Sequence, residues 1–332
     1  MTKKAHRFSR ERFGLPVTPP RDPEGVPCKL CINNCRIVRG ASGYCGLRRI
    51  KGEAGVYVDA AHGNLSWYKD PLPTNCVGDW VCAGGTGAGF PRHAHCRGPE
   101  YGYHNLAVFF HACSFNCLYC QNWSFRQRAL TSERSSVGAL VADVDDKTAC
   151  ICYFGGDPTP QLPFSIRAAT RARMKSNGKI LRLCWETNGS MNVRLLDKIV
   201  DLAIISGGCV KFDLKAWDDN VHTALTGVTN RQTLANFKRA AQAARKRSEP
   251  PALIASTLMV PGYVDVEEIA NLAQFIASVD PDIPYAILAF QPQFYLADLP
   301  LGTEAYAEKC LHAAKSAGLK NVRIGNRSLL LR

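Results

Sequence analysis

From residue 100 onward the chain alternates short apolar runs with amphipathic stretches, and that alternation leaves few folds open. Leu106–His111, Cys150–Gly155, Lys179–Trp185, Cys209–Leu214, Leu253–Val260 and Ala286–Phe290 read as strands, with Val322–Gly325 a candidate last one. Helical patterns fall between them at Phe164–Lys175, Val193–Leu202, Arg231–Arg247, Val266–Val279 and Thr303–Ala317. Near-continuous apolar strands separated by helices predict a parallel sheet with right-handed crossovers. Six or so such units predict an α/β chain with a partial (β/α)6 TIM-like barrel over residues 100–332. The preceding stretch is rich in Gly, Pro and Cys and has little sustained periodicity. Residues 1–99 therefore read as a cysteine-rich module that needs metal to hold it together.

Of the 15 cysteines in 332 residues, Cys28, Cys31, Cys35, Cys45, Cys76, Cys82, Cys96, Cys113, Cys117 and Cys120 fall before residue 121. The N-terminus is basic and lacks an apolar signal core, so the chain is expected to be cytoplasmic. Thiols are kept reduced there, which favours metal or redox chemistry over disulfides. The sharpest motif is Cys113-x3-Cys117-x2-Cys120, placed directly after the first predicted barrel strand. Three thiolates this close can ligate three irons of a 4Fe–4S cluster and leave the fourth iron open for reaction. A zinc knuckle is the competing reading, and it lacks a local fourth ligand other than His111.

The cysteine spacing, with Tyr119 before the last thiol and Cys120-Gln-Asn122 closing the motif, resembles the radical SAM superfamily. Within it the motif is similar to pyruvate formate-lyase activating enzymes. Gly155-Gly-Asp-Pro158, Thr187-Asn-Gly189, Asp213-Leu-Lys215 with His222 and Leu225-Thr-Gly-Val228, and Val260-Pro-Gly262 resemble further family segments in the family's order. They fall near predicted C-terminal strand ends, where barrel active sites sit. The resemblance implies that a cluster on Cys113, Cys117 and Cys120 cleaves S-adenosylmethionine to methionine and a 5′-deoxyadenosyl radical, which abstracts a substrate hydrogen. It also implies that Tyr119 lies near the adenine, that Gly155, Gly156 and Asp157 face the methionyl amine, and that Thr187, Asp213 and Lys215 line the rest of the pocket. Three departures from the activating enzymes stand out: Glu186 before Thr187, Ala112 before the first cysteine, and Phe290-Gln-Pro-Gln-Phe294 where pyruvate formate-lyase activators carry a histidine.

Cys28-x2-Cys31-x3-Cys35 followed by Gly43-Tyr-Cys45-Gly-Leu-Arg48 is a second metal signal, for zinc or an auxiliary Fe–S cluster. It resembles the N-terminal segment of AmmeMemoRadiSam-type radical SAM proteins. Cys76, Cys82 and Cys96, with His93 and His95 nearby, form a third candidate set for zinc or Fe–S. The remaining cysteines, Cys150, Cys152, Cys184, Cys209 and Cys310, read as core packing residues. The basic arm carrying Lys3, Lys4, Arg7, Arg10 and Arg12 reads as a solvated tail.

The formal charge of +13 counts thiols as neutral, so it overstates the charge of a metal-loaded chain. A basic surface suits reduced ferredoxin or flavodoxin as electron donor, and it would equally suit RNA. No apolar run is long enough for a membrane span. The expected macromolecular substrate is a glycyl-radical protein or RNA. A metal-stabilised nucleic-acid-binding protein without catalysis is the reading from a different class, and it predicts a colourless zinc protein.

Overall fold

The computed structural model describes residues 2–50, 55–56, 58–131 and 134–332. Its centre is an eight-stranded sheet whose strands lie in chain order. These are β1 (Leu65–Pro71), β2 (His104–Phe110), β3 (Thr148–Gly155), β4 (Arg182–Thr187), β5 (Val210–Asp213), β6 (Leu253–Met259), β7 (Tyr285–Ala289) and β8 (Val322–Gly325). From β2 to β8 every neighbouring pair is parallel, whereas β1 runs antiparallel to β2. Sequential parallel order is the signature of a (β/α) barrel wound in one direction, and no pairing closes β1 onto β8 among the described residues. The fold is the expected partial barrel.

The longer helices are α1 (Thr2–Glu11), α2 (Leu162–Lys175), α3 (Val193–Ser206), α4 (Asp219–Thr226), α5 (Arg231–Ala244), α6 (Val266–Val279) and α7 (Glu304–Ser316). Their starts follow local chemistry. The Asp218 carboxylate accepts from the amides of Asn220 and Val221 to cap α4, and Asp265 caps α6 in the same way through Glu267 and Glu268. Buried apolar side chains from strands and helices, among them Leu183, Trp185, Leu253, Ile287 and Phe237, form one continuous core. Burial on both faces explains why the strands read as unbroken apolar runs rather than as alternations.

Two expectations change. The sheet does not begin at residue 100, because β1 comes from the stretch assigned to the N-terminal module and pairs along its whole length with β2. The basic arm is not a solvated tail. It forms α1, and Arg10 is buried with its guanidinium 3.5 Å from the centroid of the Tyr44 ring. Arg10 also donates to the carbonyls of Pro16 and Tyr44. A buried cation is tolerated when carbonyls and an aromatic face replace its water.

Candidate active site

The loop Cys113–Asn122 leaves the C-terminal end of β2 and is held from several sides. The amides of Asn116 and Leu118 donate to the carbonyls of Thr226 and Leu225 at the end of α4, at 2.8 and 2.9 Å. The amide of Tyr295 donates to the Leu118 carbonyl at 2.8 Å. Asn116 Nδ2 reaches His6 and Ser9 of α1. The Leu-Thr-Gly-Val segment after Asp213-Leu-Lys215 thus serves as a brace for the cysteine loop.

Gly155 and Gly156 end β3 where backbone passes very close to backbone. Gly155 has φ +108°, and a Cβ on Gly156 would lie 2.4 Å from the Ala112 carbonyl oxygen. The amides of Gly156 and Asp157 donate to the carbonyls of Phe110 and Ala112, each at 2.8 Å. Only glycine permits this approach. The Asp157 carboxylate is buried and accepts from Thr187 Oγ1 at 2.8 Å, the Asn188 amide at 2.9 Å and the Thr159 amide at 2.8 Å. Burial raises its pKa while those donors pull the other way. Asp157 therefore ties the β3 and β4 loops together, and the neighbouring glycine backbone is left facing the cavity.

These loops surround a cavity of about 180 Å³ lined by Cys113, Cys117, Tyr119, Cys120, Gly155, Gly156, Asp157, Thr187, Asp213 and Lys215. Every residue expected at the cluster and cofactor pocket is thus brought to one place. Lys215 forms an ion pair with Asp213, and its ammonium lies 5.7 Å from the Tyr119 ring centroid. Burial pushes the Cys117 thiol up to about 12, opposed by the Lys215 charge. Metal loading of such thiols must release protons. The donor set fits an open iron–sulfur cluster. The thiols are desolvated and line one cavity, and each iron of a cluster takes its own thiolate. The buried Tyr119 hydroxyl lacks a protein partner, as expected of a group that meets a ligand. His111 lines a different cavity, with Asn64 and Arg128, and so is not a fourth ligand here.

Arg126 also lines the active-site cavity, and sequence reading missed it. It is buried, its Nη2 lies 3.3 Å from Asn116 Oδ1, and its Nε and Nη1 have no hydrogen-bond partner. The stretch Phe125-Arg-Gln-Arg128 looks like an exposed basic run, and only the docked Asn116 loop puts Arg126 inside.

The Radical SAM superfamily model matches residues 107–276, just over half of the sequence. The chain belongs to the radical SAM superfamily. It is a radical SAM enzyme, and its cofactors are a 4Fe–4S cluster and S-adenosylmethionine. It is 28% identical over 192 residues to a Methanocaldococcus jannaschii protein provisionally named a glycyl-radical enzyme activating enzyme, covering 56% of this chain and 67% of that one. It is 29% identical over 138 residues to the pyruvate formate-lyase 1-activating enzyme of Escherichia coli, covering 38% and 52% of the two chains. The match thus spans about half the length of that activating enzyme. An uncharacterized Methanocaldococcus jannaschii protein aligns at 23% identity over 92% of this radical SAM chain and 82% of its own.

The N-terminal thiols are drawn together at the edge of the same site. Cys28 and Cys35 are buried with Ile37 and Tyr44, and the Cys28 amide donates to the Cys35 carbonyl at 2.7 Å. Burial raises the Cys31 thiol, and the neighbouring Cys45, Cys28 and Cys35 raise it further. The segment docks on the loop after β4. Ile32 N donates to Ser190 O at 2.9 Å, Asn192 N to Leu30 O at 2.8 Å, and Asn33 Nδ2 to Ser114 O at 2.6 Å. The third candidate set does not assemble as expected. The Cys96 sulfur faces the carbonyls of Gly98 and Pro99, His95 stacks on Tyr103, and Cys76 and Cys82 point elsewhere, into the lower barrel. No helix is long and apolar enough to cross a membrane among the described residues.

Proposed function

We propose that this radical SAM enzyme activates a glycyl-radical enzyme by taking a hydrogen atom from a glycine Cα of a partner protein. The observation that carries the reading is the convergence of Cys113, Cys117, Cys120, the Gly155–Gly156 backbone and the Asp213–Lys215 pair on one cavity. The named relatives supply the substrate class. When bound, the two cofactors supply one-electron cleavage of S-adenosylmethionine to methionine and a 5′-deoxyadenosyl radical. The protein's part is to hold and to shield. The three thiols anchor the cluster, and the Gly155–Gly156 backbone offers polar groups to the methionyl end. Lys215 offers positive charge to a carboxylate. Tyr119, Phe115, Leu258 and Leu288 exclude water from the reacting atoms. On the same reading the four N-terminal thiols hold a metal, zinc or Fe–S, that stiffens the lip of the cavity. Reduced ferredoxin or flavodoxin supplies the electron.

The test uses pyruvate formate-lyase and, because a further relative is named an isethionate sulfite-lyase activating enzyme, isethionate sulfite-lyase as well, each labelled with deuterium at the glycine Cα. The loaded enzyme is incubated anaerobically with each lyase and S-adenosylmethionine. Deuterium in 5′-deoxyadenosine, together with a glycyl-radical signal in electron paramagnetic resonance, supports the reading. Turnover of S-adenosylmethionine with unlabelled 5′-deoxyadenosine from both lyases rejects it.

A further inference from the structure

The end of the barrel opposite the active site holds a second gathering of thiols. Cys76, Cys82, Cys150, Cys152, Cys184 and Cys209 line one narrow cavity of about 40 Å³ together with Lys211. They arrive from separate parts of the chain. Cys150 and Cys152 lie two residues apart on β3 and share a face, Cys184 sits beside Cys152 in the β3–β4 register, and Cys209 immediately precedes β5. The Cys184 and Cys209 sulfurs are 4.0 Å apart. Cys76 and Cys82 come from the segment between β1 and β2, which folds under the barrel.

Buried cysteines often act as small apolar residues, but Lys211 does not fit that account. Its side chain is 1% exposed, and its ammonium lies 2.9 Å from Cys76 Sγ, 3.2 Å from Cys152 Sγ and 3.2 Å from Glu186 Oε2. Glu186, itself partly exposed, supplies one carboxylate from the rim, but the two sulfurs on the buried side of the ammonium compensate it only as thiolates. A cluster of metal-bound thiolates supplies that negative charge directly. Glu186 lines the upper cavity while Lys211 lines the lower one, so their ion pair stands between the two.

We propose that Cys76, Cys82, Cys150, Cys152, Cys184 and Cys209 form the binding site of a second iron–sulfur cluster in the lower barrel, with Lys211 as its buried counter-charge. Thiolates select zinc, Cu(I) or iron–sulfur centres. A single zinc needs four donors converging on one point, whereas these six thiols line a cavity from separate segments of the chain. Iron–sulfur clusters spread their thiolates over separate irons, as the Cys113–Cys117–Cys120 site does. Six thiols exceed the four that either a two-iron or a four-iron core requires. From Cys184 to Thr187 is three residues along β4, so the lower site lies about 10 Å beneath the upper one. The proposal is independent of the glycyl-radical reading, because it concerns thiols outside the active-site cavity.

The experiment counts iron, sulfide and zinc in anaerobically reconstituted full-length protein, with folding checked by circular dichroism. One variant carries Cys76→Ser, Cys152→Ser and Cys184→Ser. A second removes the other thiol groups, with Cys113, Cys117 and Cys120 changed to Ala and Cys28, Cys31, Cys35 and Cys45 changed to Ser. The first should lose about two or four irons per chain relative to wild type, with matching sulfide. The second should keep that number and the brown absorption of a cluster. Because the two variants remove different thiols, either one decides the question if the other fails to fold. Equal iron in wild type and the first variant, or iron-free protein from the second, overturns the proposal. Zinc in place of iron at the lower site, or a Cys184–Cys209 disulfide in anaerobically prepared protein, overturns it too. Production of 5′-deoxyadenosine by wild type, measured alongside, reports separately on the upper cluster.

Discussion

The two ends of this barrel are built by different means. At the upper end, the three cluster cysteines lie within eight residues on one loop, and the other functional groups follow the strands that precede them. At the lower end, six cysteines from β3, β4, the start of β5 and the crossing between β1 and β2 meet only because the sheet register aligns them. A site encoded in one loop can be read from spacing. A site encoded in register cannot, since it depends on which strands become neighbours.

The upper end should break most completely. Cys117→Ala removes one of three iron ligands, and no other cysteine lines that cavity to replace it. Formation of 5′-deoxyadenosine from S-adenosylmethionine with dithionite should fall to background, at least about a thousandfold, because the cofactors carry the bond cleavage. Cluster-dependent turnover retained in Cys117→Ala would show that the loop is not the catalytic site. The contrast sharpens if Cys117→Ala protein still holds iron, since that iron must then sit on other thiols.

What the sequence made legible follows the same division. The strands of the barrel were readable because burial on both faces removes the polar alternation. The SAM-pocket residues were readable because all but Tyr119 sit at a strand end or within two residues past it. The strand Leu65–Pro71 was missed because its outer face is polar and open, with Tyr68 54% exposed, so no apolar run marks it. The helix Thr2–Glu11 was missed because its buried face is made of His6, Ser9 and Arg10, whose burial depends on partners far along the chain. Arg126 and the lower cysteines belong to the same class. Each looks like an ordinary surface or core residue until tertiary contacts supply its surroundings.

A smaller effect is expected from Lys215→Met. Lys215 is partly buried and paired with Asp213 in the active-site cavity. Removing its charge should weaken S-adenosylmethionine binding roughly tenfold, about 1.4 kcal/mol, and leave the iron count unchanged. Isothermal titration of loaded protein measures the first and metal analysis the second. Because the substitution also strands the Asp213 carboxylate, Asp213→Asn combined with Lys215→Met should recover thermal stability without recovering affinity. Unaltered affinity in both variants would place the ligand's carboxylate away from Lys215.

The smallest effect tests the brace rather than the cluster. His222 is buried on α4, its Nδ1–H donates to the Val228 carbonyl at 2.6 Å, and its ring packs edge-on against Phe115 of the cysteine loop. Burial is the main cause that holds its pKa down to about 4. The unfolded chain, with an ordinary histidine near 6.5, takes up a proton before the folded chain does. Stability contributed by keeping this ring neutral is therefore full above about pH 6.5 and declines as pH falls toward 4. Between pH 7 and 5.5 the loss should be about 1 kcal/mol, within a range that avoids strong acid. His222→Asn keeps a donor for the Val228 carbonyl and removes the titration, so urea unfolding at the two pH values should show that part of the slope disappear. An unchanged slope would mean that the ring is already charged or hydrated in the fold, and that α4 does not hold the cysteine loop through a dry contact.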